Sequence, residues 1–209
     1  MSSSLELLDE LGREHELLDR LAGALWTWAD HDRPLVADGA AFARVLELWL
    51  VGFHHHREEE TLFRALVDDA ELPADRGPLA VLRGEHRGMA ELVQILGADD
   101  AAVVVAARTL ARDLWEHLDK ENSVLFPEAR RRLRRAAVTT LVGRPPTADE
   151  IRSEHDAEDL IRRYPPTEDP DMVRGDGCIP CRAFTVECAG IEGEWWNSWE
   201  TEYRRTLQE

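Results

Sequence analysis

Four segments in the first two-thirds of this 209-residue chain repeat leucine and aromatic residues at helical spacing, and each carries one histidine on its apolar side. The first runs from about Leu5 to Ala29, with Leu8, Leu11, Leu18 and Leu25 on one face and His15 among them. Pro34 and Gly39 break it. The second runs from about Ala40 to Asp69 and carries Phe42, Leu46, Trp49, Leu50 and Phe53, followed by His54. "ELPADRGP" ends it. The third starts near Pro78, a residue suited to a first helical turn, holds His86 between Leu82 and Met89, and ends at Gly97. The fourth begins after Asp99–Asp100 and continues to about Arg135, with His117 beyond Leu110 and Leu114. Val103–Val105 is β-branched but sits in an alanine-rich helical context. Short connections make antiparallel neighbours, so the expected fold class is all-α: an up-down-up-down four-helix bundle over residues 1–140.

The four histidines also agree in height. In an antiparallel hairpin, residues at equal depth are equidistant from the turn. His15 and His54 are centred on the Pro34 turn, Glu58 and His86 on residue 72 inside "ELPADRGP", and His86 and His117 just after "GADD". Two of the histidines have a glutamate four residues on, His54 with Glu58 and His117 with Glu121. On a helix such pairs share a face, with Cβ atoms about 6 Å apart. An internal repeat supports one layer: "HHHREEETLF" aligns with "HLDKENSVLF" when His54 sits over His117, and "REHELL" resembles "GEHRGM" around His15 and His86. A duplicated helix pair with a pseudo-twofold axis makes a site for two like ions.

Burying these imidazoles and carboxylates together costs several kcal/mol for each uncompensated charge. A pair of divalent cations removes that penalty. Nitrogen and carboxylate donors without thiolates suit iron or manganese. His15, His54, Glu58, His86, His117 and Glu121 are therefore the expected metal ligands. They underfill two six-coordinate ions, leaving positions for water, hydroxide or O2. Because a helix turns about 100° per residue, His54, His55 and His56 cannot all face inward. The repeat selects His54 and leaves His55 and His56 on the flank or surface. Glu59 is the expected exception among the flanking glutamates, as a partner of a ligand imidazole or in proton transfer. Glu14 and Glu85, each preceding a ligand histidine, could do similar work, though solvated helix positions are the simpler reading.

The formal charge of -17 argues against nucleic acid and anionic membranes as partners. The opening "MSSSLELLDELG" has no basic lead, and no stretch approaches the roughly 20 apolar residues of a membrane span. A cytoplasmic protein is the expectation.

The order His15, His54-x3-Glu58, His86, His117-x3-Glu121, followed by "LFP" at Leu125–Pro127, resembles the hemerythrin-like (HHE cation-binding) family over roughly residues 5–135. The resemblance implies a cofactor of two iron ions, oxo- or hydroxo-bridged, that meets O2. Three departures stand out. The O2 carriers' extra histidine in the third helix is Ala90 here. Their last carboxylate follows its histidine by a longer step than Glu121 does. The second helix has "LFR", ending in Arg64, where the fourth has "LFP". Fewer histidines favour O2 activation or sensing over reversible storage. The expected function is thus an O2-dependent oxidase or oxygenase acting on a small organic substrate, such as a nitrogen-containing one, with a protein reductase or a homodimer as further partner. The alternative is a sensor or carrier of O2, NO or iron without catalysis.

After "GRPPT" the composition changes, and residues 141–209 form a C-terminal extension. It comprises a short helix from Ala148 to Arg163, a proline-rich loop, a CxxC segment and a final helix from about Glu192 bearing Trp196 and Trp199. Cys178, Cys181 and Cys188 with His155 could hold a zinc ion, and Cys178 with Cys181 could form a redox pair. Free cysteines in an ordered loop, with His155 on a helix surface, are the third reading.

Overall fold

The computed structural model describes residues 5–75, 77–98, 102–172 and 174. Among them the chain forms five helices: α1 (Glu6–Asp30), α2 (36–68), α3 (Gly77–Leu96), α4 (103–135) and α5 (Ala148–Arg163). The first four form the expected antiparallel bundle, with α4 packed on both α1 and α3 and α2 packed on α1 and α3. The fifth lies against α1 and the first half of α2. The three cysteines, Trp196 and Trp199 lie outside the described residues. No helix of the described residues is long and apolar enough to cross a membrane.

Each apolar stripe is interrupted at one level. Leu8 and Leu11 of α1 join Leu62 and Phe63 of α2, Leu79 and Leu82 of α3, and Leu125 and Leu133 of α4 in one buried cluster. Leu18 and Leu25, Phe42 and Leu50, Met89 and Val93, and Leu110 and Leu114 belong to a second. The histidines and glutamates fall between the two along every helix, so a polar layer is sealed above and below by hydrocarbon.

Helix α2 begins at Val36, earlier than the sequence pattern suggests. Gly39 lies inside it and serves close packing. A Cβ there would meet the Trp28 ring at 2.8 and 2.9 Å, and that ring is buried and donates from Nε1 to the Leu35 carbonyl at 3.2 Å. Gly39→Ala should therefore destabilise. Overpacking costs about 1–3 kcal/mol, more than the ~1 kcal/mol gained from helix propensity. A lower urea midpoint is expected; an unchanged midpoint would mean that Trp28 can move aside.

Wider i→i+5 turns occupy Leu46–His55 and Glu58–Phe63 in α2 and Glu121–Leu125 in α4. Such turns often mark functional positions in helices, and here all three adjoin the polar layer. The segment following the bundle braces the first of them. Arg144 donates to the Gly52 carbonyl at 2.8 Å, and Ser153 Oγ donates to the Val45 carbonyl at 3.3 Å. Arg144 is itself held by both oxygens of Glu150, whose carboxylate also closes a capping box with Thr147 at the start of α5.

Candidate metal centre

The polar layer contains two groups of four buried side chains. His15, His54, Glu58 and Glu121 form one, and His55, Glu58, His86 and His117 the other. Within each group the nearest donor atoms all lie within 4.8 Å of one another. Glu58 belongs to both. Its Oε1 lies 3.4 Å from His54 Nε2, and its Oε2 lies 3.4 Å from His86 Nε2. Glu121 also spans the layer, with Oε2 3.3 Å from both His15 Nε2 and His117 Nε2. The structure thus brings together all six residues expected from the sequence.

Four of the imidazoles are oriented from behind. His54 donates from Nδ1 to Glu14 at 2.8 Å, His86 to Glu59 at 2.7 Å, His117 to Glu85 at 2.9 Å, and His15 to the amide oxygen of Asn122 at 2.8 Å. A carboxylate can only accept, so the proton sits on Nδ1 and the Nε2 lone pair faces the centre. The carboxylates are held in turn by cations: Glu14 by Arg57, and Glu85 by Lys120, the chain's single lysine. Arg57 also binds Glu10.

These orientations aim lone pairs at one another. His15 and His54 approach Nε2 to Nε2 at 3.1 Å, and His86 and His117 at 3.2 Å. Such contacts repel unless a positive centre lies between them. Donors bonded to one ion at about 2.1 Å stand roughly 3 Å apart at neighbouring corners, so the spacing suits a metal. Both oxygens of Glu58 and of Glu121 are also buried without a hydrogen-bond partner. Buried carboxylates lacking partners are costly, and a cation is the partner that this donor set suits.

Without metal, protons take that place. Burial opposes charge on His15, but Glu121 and Glu58 outweigh it and raise its pKa to about 9. Burial likewise opposes charge on His117, and Glu121 with Glu85 raise it to about 10. Glu58 is disfavoured as an anion by burial and by Glu121, yet His54, His15 and His86 hold it at about 2. Glu121 is pushed well below the usual carboxylate range by His117 and His15, against its burial.

The sequence reading is corrected at His55. It is buried, not on the flank, and its ring stacks on His86 with centroids 3.8 Å apart. Neither ring nitrogen has a hydrogen-bond partner. Burial, reinforced by His86 and His117, holds its pKa well below the ordinary histidine value, so the ring stays neutral with a free lone pair. The physical reason is the widened turn over Leu46–His55, which slips the register so that His54 and His55 both face the layer. His56 is exposed, as expected, and so is Glu60. Glu14 and Glu85 are corrected too. Each reaches sideways from the residue before one histidine to the histidine of a neighbouring helix. The signal was in the repeat, since "EH" recurs in both copies. Glu59 takes the position of an imidazole partner, on His86. His155 lies on the exposed face of α5.

His55→Ala and His56→Ala provide a direct contrast. The first should lower iron retention about tenfold or more, on the scale of losing a ligand-orienting or ligand residue, and the second should leave it unchanged. Metal analysis after dialysis against a weak chelator reads the difference, and equal losses would contradict the assignment of His55.

Residues 6–129 match the family model described as Hemerythrin HHE cation binding domain. In addition, a stretch of 88 residues is 31% identical to the iron-sulfur cluster repair protein YtfE of Edwardsiella ictaluri (strain 93-146). That match covers 36% of this chain and 40% of the relative, so the chain spans less than half the length of the curated relative it matches. No solved structure matches. The family match takes in more than half of the chain and every His and Glu of the two buried groups. The chain belongs to the family of hemerythrin HHE cation-binding domains.

Proposed function

We propose that the layer holds two iron ions, one in each group, and that the protein uses them to reduce O2 and oxidise a small organic substrate. The observation that carries this reading is the sharing of Glu58, with one oxygen turned to each group. A carboxylate so placed would hold two like ions side by side. When bound, the ions would supply electrons and Lewis acidity. Nitrogen and carboxylate donors favour iron or manganese over soft metals.

The chain's own residues do the rest. Glu14, Glu59 and Glu85 keep the Nδ1 protons of His54, His86 and His117 in place, and Asn122 does so for His15. Glu121 spans the gap between His15 and His117. Glu59 is about one-third exposed and reaches both His86 and Arg83, so it links the buried ring to solvent and is the residue best placed to exchange a proton there. The apolar clusters on either side keep bulk water out.

A second reading is a sensor or carrier of O2, nitric oxide or iron without substrate oxidation, and the curated relative, named as an iron-sulfur cluster repair protein, favours its iron-handling form. Stopped-flow mixing of the ferrous protein with O2 separates the two. Oxidation of the iron that vacuum does not reverse, and that a small organic molecule accelerates, supports the enzyme. Return of O2 under vacuum with the ferrous state restored rules it out.

A further inference from the structure

A cavity of about 550 Å³ lies between α1, α2, the 142–146 segment and α5, within the size range of sites for small organic ligands. Its far wall, including Val142, Pro145, Pro146 and Glu154, comes from beyond residue 129, where the family match ends. The cavity is thus made by the union of the bundle with its extension. Glu14 lines it, and the same carboxylate holds His54 Nδ1. An occupant would therefore sit one side chain away from a candidate ligand imidazole.

The charges in the lining that lack an ion-pair partner show what would fit. Most of its charges are already paired: Arg57 with Glu10 and Glu14, and Arg144 with Glu150. Arg13, which is exposed, and Glu154, which is half-buried, have no ion-pair partner among the described residues, and they are not paired with each other. Gly143 lets the wall close over Arg57: a Cβ there would come within 2.6 Å of Arg57 Nε. The unpaired charges of the lining are thus one cation, which calls for an anion, and one carboxylate, which calls for a cation. Leu17, Val142 and the two prolines add apolar surface.

We infer that this cavity binds a small zwitterion of amino-acid type, with its carboxylate towards Arg13 and its ammonium towards Glu154. The assignment stands on the cavity and is independent of how the metal layer reacts.

Calorimetric titration of the iron-loaded full chain tests it. L-phenylalanine and 6-aminohexanoate supply short and long charge separations. 3-Phenylpropionate and hexanoate supply the anion alone, and 2-phenylethylamine and hexylamine the cation alone. At least one zwitterion should bind about tenfold more tightly than either of its singly charged counterparts, the scale of one hydrogen bond to a charged group. Glu154→Gln should remove that advantage, bringing the zwitterion to the affinity of its anion. Arg13→Gln should weaken zwitterion and anion together. Both variants should keep their full iron content, since neither residue touches the metal layer. If neither zwitterion outbinds its counterparts, or if both variants bind as the parent does, the assignment is wrong and the reading of the metal layer is untouched.

Discussion

On the proposed two-ion reading, Glu58→Ala should release both ions at once. Its two oxygens face different donor groups, and among the described residues no other side chain belongs to both, although Glu121 also reaches from His15 to His117. Each group of four would fall to three, and the two ions would lose one of the two carboxylates that span the layer. Binding of each ion should weaken by at least a hundredfold, at or beyond the upper end of the 10–100-fold loss seen when residues behind metal ligands are removed. His54→Ala removes a donor from one group only. It should lower the iron content from two per chain towards one, while Glu58→Ala lowers it towards none. Iron counts on anaerobically reconstituted, desalted protein distinguish the cases. Two ions retained by Glu58→Ala would mean that the groups fill independently of that carboxylate.

The second large effect is a reversal of pH dependence when metal binds. In the metal-free protein, His15 and His117 have pKa values near 9 and 10, above the ordinary 6.5. Their stabilisation is fully present below pH 6.5 and is lost as pH rises through 9 to 10. Glu58 lies near 2, below the ordinary 4.5, so its contribution is full above pH 4.5 and is lost as pH falls towards 2. The metal-free protein should therefore be most stable between about pH 4.5 and 6.5. It should lose on the order of several kcal/mol between pH 6.5 and 10. Metal requires the same ligands deprotonated, so its stabilising effect grows with pH. Thermal melts with and without bound metal should diverge steadily from pH 6 to 9. A constant gap would show that the histidines do not hold protons when the metal is absent.

The bundle and the level of its polar layer were legible in the sequence because both depend on long-range periodicity. Residues such as Leu11, Phe53 and Leu110 mark inner faces through several turns, and the distances of His15, His54, His86 and His117 from the chain breaks fix their common depth. What depends on a single turn was not legible. His55 is inward only because α2 widens over Leu46–His55, and an ideal helix would carry it to the flank. Gly39 reads as a helix breaker, whereas in the structure it gives Trp28 room. The partners of the imidazoles were partly hidden for another reason. Glu14 and Glu85 act across to the next helix, and adjacency in sequence to His15 and His86 suggests the wrong partner. Arg57 was missed because its burial depends on two carboxylates of α1 and on Gly143 packing over it, contacts that helical periodicity does not report.

Crystals of iron-loaded protein, with data collected on both sides of the iron absorption edge, put the central claim to its most direct test. Two anomalous peaks in the layer, one among His15, His54, Glu58 and Glu121 and one among His55, Glu58, His86 and His117, are the predicted result. A layer without iron, or a single peak away from Glu58, would contradict it.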